Sequence, residues 1–203
     1  MSNSLETKIK ISCVGDSITF GEGIENRTQN AYPRVLANML GEEYYVKNFG
    51  VPGASLLKKS EKPYWDQIAY RRALKFSAEI VVIKLGTNDS KAENWQFAEK
   101  FVENYCELIE TFKNLASQPK IFICLPTPVF GPTYGVNPEV LASEIIPKIK
   151  EIAVQNCCEI IDLNTPLQSF EGLFYDKLHP NREGAKIIAE TVFQNLSLTV
   201  DLQ

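Results

Sequence analysis

Five short runs rich in Val, Ile, Tyr and Phe alternate along the chain with segments of helical periodicity, and this alternation constrains the fold most. The third and fourth runs are almost continuously apolar, which is typical of strands buried on both faces. Strands that alternate with helices need crossover connections, so the pattern predicts an α/β fold with a parallel sheet covered on both faces. The five predicted strands span residues 8–14, 44–49, 79–85, 120–126 and 158–163.

The segments between the runs carry the apolar spacing of three and four residues that is typical of helices. Pro147 lies inside one of them and is expected to kink or split it. Asn181 or Asp176 is expected to cap the last helix. The predicted helices span residues 31–40, 95–115, 136–155 and 181–196.

The 203 residues suffice for one domain with a sizeable core, so we expect a single domain over 1–203. The charge of 21 − 25 = −4 argues against a nucleic-acid partner, and no apolar stretch is long enough to cross a bilayer. The N-terminus has no apolar signal-peptide core, and five cysteines without a CxxC spacing fit a reducing compartment. We therefore expect a cytoplasmic protein, although a trimmed secreted chain would have the same pattern. The sequence leaves the oligomeric state open.

The stretch "VGDSITFGEG" follows the first predicted strand and contains Ser17. In parallel sheets, ligands bind at the carboxyl ends of the strands, where this serine would lie. A serine here can make a turn or cap a helix, or it can act as a nucleophile. If a helix begins at Ser17, its free N–H groups would favour a developing oxyanion.

His179 is the only histidine in the chain and stands in "YDKLHP". A lone histidine is more often a surface or core residue than a catalytic one. Pro180 favours a turn at His179, and Asp176 can reach the imidazole if the segment makes one turn. Acyl transfer by a serine needs such an anchored imidazole as its base.

Two further loops supply possible hydrogen-bond donors. "NFGVPGAS" contains Gly50 and Gly53, where a backbone N–H can approach a substrate closely. "LGTND" contains Asn88, whose amide can donate to an oxyanion. Each loop taken alone could equally be a plain turn.

The four blocks "VGDSIT", "NFGVPGAS", "LGTND" and "DKLHP" occur in this order from the first strand to the last helix. In these blocks the chain resembles the SGNH hydrolases, also called the GDSL esterase family. The resemblance implies a flavodoxin-like, three-layer α/β/α sandwich with a parallel five-stranded sheet. One departure is small, because Ile18 stands where the family has its name-giving leucine.

The resemblance also implies a role for each matching residue. Ser17 corresponds to the nucleophile, and Asp176 and His179 correspond to the acid and base of the catalytic triad. The oxyanion hole would consist of the backbone N–H groups of Ser17 and Gly53 and the side chain of Asn88.

Two acidic residues flank these positions, and we interpret Asp16 and Asp89 as hydrogen-bonding groups that shape the loops rather than as the triad acid. The implied chemistry needs no cofactor. We also expect no metal, because the chain has no cluster of His, Cys and carboxylates with ligand spacing.

The substrate is expected to be a small-molecule or saccharide ester with a small acyl group, most simply acetyl. The sequence has no cap domain and no long apolar loop to cover a fatty chain, and parts of it resemble carbohydrate O-acetylesterases. Aromatic rings beside polar groups suit a pyranose ring, although each ring could instead be a packing anchor. The candidate substrate-binding aromatics are Tyr64, Trp65, Trp95 and Tyr134.

Two alternatives remain open. The first is a thioesterase or lysophospholipase that acts on longer acyl chains. The second is a non-catalytic flavodoxin-like module that binds a phosphate or flavin. The acidic residues Asp16 and Glu22 in the first loop disfavour this second alternative, which also leaves the pairing of Asp176 with His179 unexplained.

Overall fold

A computed structural model describes residues 8–199 and shows a parallel sheet of five strands in the order β2-β1-β3-β4-β5. Each strand lies within one residue of its predicted bounds. The sequence segment that bears on a signal peptide, and the two ends of the predicted 1–203 domain, extend outside the described residues. The strands are β1 Ile9–Gly15, β2 Tyr44–Gly50, β3 Ile80–Lys84, β4 Lys120–Leu125 and β5 Glu159–Asp162.

Helices cover both faces of the sheet, as predicted. Helices α4, α6 and α8 pack on one face, and α3 and α9 pack together on the other. Across residues 8–199, no helix combines the length and the apolar character needed to span a membrane. The helices are α1 Ser17–Phe20, α2 Arg27–Asn30, α3 Tyr32–Leu40, α4 Ile68–Phe76, α5 Ala92–Trp95, α6 Phe101–Lys113, α7 Pro138–Val140, α8 Ile146–Gln155 and α9 Arg182–Thr199.

The two apolar layers explain why the central strands are almost continuously apolar. In β3, Val81 and Ile83 belong to the layer under α4, α6 and α8, whereas Ile80 and Val82 belong to the layer under α3 and α9. Successive side chains of a strand point to opposite faces, so a strand covered on both sides carries apolar residues at nearly every position. The predicted three-layer α/β/α architecture is confirmed.

The helical segment around Pro147 does not break at the proline. A π-helical turn, Leu141–Ile145, joins α7 to α8, and the N–H of Ile146 bonds to the carbonyl of Leu141. Proline has no N–H and its ring clashes with the carbonyl four residues earlier, so a continuous α-helix is disfavoured there. Of the expected kink or split, the split is corrected, because the wider π turn takes up the irregularity before Pro147.

Candidate active site

The loops that follow β1, β2 and β3 meet at one edge of the sheet, because β1 lies between the other two strands. The N–H of Val51 donates to the carbonyl of Gly15 at 3.0 Å, which ties the second loop to the end of β1. The Nδ2 of Asn88 donates to the carbonyl of Ala54 at 3.0 Å, which ties the third loop to the second. These bonds bring together three of the four sequence blocks that carry candidate site residues.

Helix α1 begins at Ser17, directly after the turn that ends β1. Asp16 caps this helix, because its Oδ1 accepts the N–H of Ile18 at 3.0 Å. The carboxylate of Asp16 is fully buried and pairs with Nζ of the equally buried Lys84 at 2.9 Å. The start of α1, and with it the position of Ser17, therefore depends on a buried ion pair.

A glycine at the end of β2 lets that strand approach α1 closely. A Cβ atom added to Gly50 would lie 2.2 Å from the backbone nitrogen of Phe20, far inside van der Waals contact. Residues with a side chain are therefore excluded at this position unless the backbone moves.

A tight turn before α9 brings the carboxylate of Asp176 next to the imidazole of His179. Oδ1 of Asp176 accepts the N–H groups of Leu178 at 3.1 Å and His179 at 2.7 Å. Lys177, inside the turn, has a φ of +71°, and its carbonyl accepts the N–H of Phe130 from the loop after β4 at 2.9 Å. The cap of α9 is consequently Asn181, whose side chain accepts the N–H of Gly184.

The structure brings Ser17, His179 and Asp176 into one hydrogen-bonded chain. Nδ1 of His179 lies 2.6 Å from Oδ2 of Asp176, and Nε2 lies 2.9 Å from Oγ of Ser17, 162 residues away in sequence. An ionised carboxylate only accepts, so it fixes the proton on Nδ1 and leaves Nε2 to accept the proton of the serine hydroxyl.

The carboxylate of Asp176 is suited to holding the proton on Nδ1 of His179. Burial raises its pKa, but hydrogen bonds from the His179 imidazole and from the backbone N–H groups of His179 and Leu178 outweigh burial. The net result is a pKa below the usual value for aspartate. Asp176 thus stays ionised at neutral pH and can stabilise a positively charged imidazole.

The predicted oxyanion donors Gly53 and Asn88 lie in the two loops that are tied to the serine loop. One N–H of the Asn88 amide is held by Ala54, and the backbone carbonyl of Asn88 accepts Nδ2 of Asn94 at 2.8 Å. An amide has two N–H groups, so the second can donate to a substrate. The backbone N–H of Gly53, at a φ of +74°, donates to no protein group within residues 8–199.

The interpretation of Asp16 and Asp89 as loop-shaping residues is confirmed. Asp16 caps α1, and Asp89 accepts the backbone N–H groups of Leu56 at 2.9 Å and Leu57 at 2.7 Å. Asp89 therefore fixes the same loop after β2 that Asn88 bonds through Ala54. Neither carboxylate contacts His179.

The buried carboxylate of Asp89 should make the free energy of unfolding depend on pH. Burial raises its pKa from 3.8 to about 6 even though Leu56 and Leu57 donate to it. The folded chain therefore binds this proton more tightly than the unfolded chain, and stability falls as pH rises from about 4 to about 6. Asp89→Asn removes this dependence, so between pH 4.5 and pH 7.5 the variant should gain about 2 kcal/mol relative to the parent. Urea unfolding of both proteins at pH 4.5 and pH 7.5 measures the gain, and a pH-independent difference would contradict it.

Two of the predicted substrate-binding aromatics are packing residues in the loop after β2. Tyr64 is 1% exposed, and its hydroxyl donates to the carbonyl of Phe49 at 2.7 Å. This burial corrects the prediction for Tyr64. The indole N–H of half-buried Trp65 donates to the carbonyl of Leu56 at 2.7 Å, so its polar group is also occupied.

The other two aromatics differ in position. Trp95 is half-buried, packs edge-on against Phe101 and donates its indole N–H to the carboxylate of Glu144 at 3.1 Å. Tyr134 is exposed, and its ring centroid lies 5.7 Å from that of His179. Of the four predicted aromatics, Tyr134 alone makes a ring contact with the imidazole.

Two residues near the site, Lys84 and Tyr175, were not predicted from the sequence. Lys84 pairs with Asp16 and also donates to Thr87 at 2.9 Å. The sequence signal for this role is a lysine within the otherwise apolar run "EIVVIKL". Tyr175 stacks on the ring of His179, and only its place directly before Asp176 pointed to it.

A serine, an imidazole and a carboxylate in this contact, at the carboxyl edge of a parallel sheet, form the arrangement of serine hydrolases. The chain belongs to the GDSL-like Lipase/Acylhydrolase family, whose family model matches residues 13–187.

Among curated proteins, the chain is similar to an acetylxylan esterase of Xylanibacter ruminicola, with 39% identity over 205 aligned residues. The match covers 92% of this chain and 43% of that protein, so the chain spans less than half of the relative's length. Solved structures of similar fold include a carbohydrate acetylesterase from Sinorhizobium meliloti, with a TM-score of 0.74 and 15% identity. That match covers 94% of this chain and 99% of the other. An acetyl xylan esterase, AlAXEase, matches with a TM-score of 0.69 and 20% identity, covering 92% and 98% of the two chains.

Proposed function

We propose that this chain is a serine esterase that removes small acyl groups, acetyl in particular, from carbohydrate through an acyl-enzyme intermediate. The observation that carries the proposal is the imidazole of His179 held between Oγ of Ser17 and the carboxylate of Asp176. The preference for acetylated carbohydrate is supported by the similarity to an acetylxylan esterase along 92% of the chain.

In the acylation step, Oγ of Ser17 attacks the ester carbonyl carbon while Nε2 of His179 accepts the serine proton. The carbonyl oxygen becomes an oxyanion, which the N–H groups of Ser17, Gly53 and Asn88 stabilise. The tetrahedral intermediate then collapses and the C–O bond of the alcohol breaks. His179 returns the proton to the departing alcohol oxygen, which leaves an acetyl ester on Ser17.

In the deacylation step, water attacks the acetyl carbonyl of the acyl-enzyme and gives a proton to Nε2 of His179. The same three donors hold the second oxyanion. When it collapses, the bond to Oγ of Ser17 breaks, and His179 returns the proton to that oxygen. Acetate leaves and the resting enzyme is restored.

Replacement of Asn88 by alanine tests the oxyanion hole. The loss of one preorganised donor is expected to lower kcat by roughly 10²- to 10³-fold, because the donated bond strengthens as the oxyanion forms. KM should change little. The measurement is steady-state acetate release, with thermal unfolding to establish that the variant is folded despite losing its bond to Ala54.

A matched control is Asn114→Ala, since Asn114 is exposed and its side-chain amide donates to the side chain of Glu110 on its own helical segment. It should keep the parent's kcat. A folded Asn88→Ala variant with an unchanged kcat would remove Asn88 from the oxyanion hole.

The substrate class is tested by comparing acyl groups and alcohols. Acetate release from acetylated xylo-oligosaccharides is measured beside hydrolysis of nitrophenyl esters whose acyl chains grow from acetyl to decanoyl. We expect turnover of the acetylated saccharide and a steep fall in kcat/KM with chain length, with Ser17→Ala as the blank. Inert acetylated saccharides together with rapid turnover of long acyl thioesters or lysophospholipids would overturn the proposal.

A further inference from the structure

Two exposed tyrosines contact the imidazole of His179. The ring of Tyr175 stacks on it, with centroids 5.9 Å apart and planes inclined by 18°. The ring of Tyr134 meets it edge-on, with centroids 5.7 Å apart and planes at 60°. Tyr175 is 52% exposed and Tyr134 is 64% exposed, whereas His179 itself is 8% exposed. The two tyrosines therefore offer exposed ring surface next to a buried imidazole.

Each tyrosine has an unusual local setting. Tyr134 has a φ of +49°, a conformation that residues other than glycine and asparagine adopt rarely, and such conformations concentrate at functional sites. The hydroxyl of Tyr175 rests on Gly23, where an added Cβ would lie 2.1 Å from the hydroxyl oxygen. A side chain at Gly23 would displace the Tyr175 ring.

The proposed mechanism fixes which part of the substrate these rings meet. His179 returns its proton to the alcohol oxygen, so that oxygen must come within hydrogen-bond distance of Nε2. The acyl oxygen points instead to the donors at Ser17, Gly53 and Asn88. The alcohol portion therefore lies on the imidazole side of the site, where the two tyrosines stand.

The chemistry of the two rings suits a sugar. Each offers an apolar ring surface on which the C–H groups of a pyranose can pack, and a hydroxyl that can bond to sugar hydroxyls. Burial and the neighbouring Asp176 carboxylate raise the pKa of Tyr175 to about 12, so its hydroxyl keeps its proton at neutral pH.

We propose that Tyr134 and Tyr175 form an alcohol-side subsite that binds the pyranose ring carrying the acetyl group. This inference rests on the proposed function, because it assigns the alcohol half of the same ester. It adds Tyr175 to the site and separates recognition of the sugar from recognition of the acetyl group.

The test compares two acetate esters that form the same acetyl-enzyme. Tyr134→Ala and Tyr175→Ala are assayed on acetylated xylo-oligosaccharide and on ethyl acetate, whose two-carbon alcohol has no sugar ring to pack against the tyrosines. We expect kcat/KM for the saccharide to fall roughly tenfold in each variant, with less than about a twofold change for ethyl acetate. Tyr175→Phe, which keeps the ring, should retain most of the saccharide activity. Tyr45→Ala removes an exposed tyrosine of edge strand β2 and should change neither rate.

The outcomes separate the subsite from the function. If both variants keep the parent's kcat/KM on the saccharide, the subsite is wrong and the esterase proposal stands. If kcat/KM for both substrates and the deacylation rate all fall together, the tyrosines only position His179, and the subsite is again wrong. A parent enzyme that hydrolyses ethyl acetate but leaves acetylated saccharides untouched would overturn the carbohydrate function itself.

Discussion

Replacing Ser17 by alanine is expected to lower ester hydrolysis by roughly 10⁴- to 10⁶-fold without loss of the fold. The variant removes the hydroxyl oxygen that contacts Nε2 of His179 and that would carry the acyl group. It removes a single atom from a side chain that is already 6% exposed, so the packing around α1 should persist. Acetate release at saturating substrate measures the rate, and thermal unfolding establishes the fold.

Ser143→Ala provides the matched control, because Ser143 is an exposed serine that bonds to a helix carbonyl. Its rate should equal that of the parent. If Ser17→Ala kept about a tenth of the activity, the loss would be far too small for a nucleophile, and another group would have to carry the reaction.

Lys84→Met is expected to lower the free energy of unfolding by about 3–5 kcal/mol, since it leaves the carboxylate of Asp16 buried without its partner. Both side chains of the pair are fully buried, and the Lys84 ammonium also donates to Thr87. The substitution should also lower the rate of ester hydrolysis, because the same carboxylate caps α1 at Ser17. Urea unfolding measures the stability loss.

A second substitution separates the charge from the shape of the side chain. Asp16→Asn removes the stranded charge and keeps an acceptor for Ile18, so Lys84→Met combined with Asp16→Asn should recover part of the lost stability. Lys186→Met is the control, because Lys186 pairs with Glu190 at 3.6 Å on an exposed face of α9. It should change stability by less than about 1 kcal/mol. A Lys84→Met variant as stable as the parent would contradict the structural importance of the buried pair.

Strands β3 and β4 could be predicted to within one residue because a strand buried on both faces is apolar almost throughout, and polar loops bound it on both sides. The carboxyl ends of parallel strands share one edge, so the loops of Ser17, Gly53 and Asn88 were expected to meet. The contact between Asp176 and His179 followed from a short turn in which few arrangements are available.

Other features depend on tertiary packing that local pattern does not encode. The direction of an aromatic ring is one of them, and it made Tyr64 a core residue and left Tyr175 beside the imidazole. The pairing of Asp16 with Lys84 is another. The lysine was visible in an apolar run, but its partner lies 68 residues away, and only the pairing of β1 with β3 brings the two together.

The most direct test of the central claim is covalent labelling with a fluorophosphonate, which reacts with a serine activated by a neighbouring imidazole. Intact-mass measurement and peptide mapping should show one adduct per chain, on Ser17. Ser17→Ala should show no adduct, and His179→Ala should label far more slowly. An adduct on a different residue, or an unlabelled but folded parent protein, would contradict the assignment of Ser17 as the nucleophile.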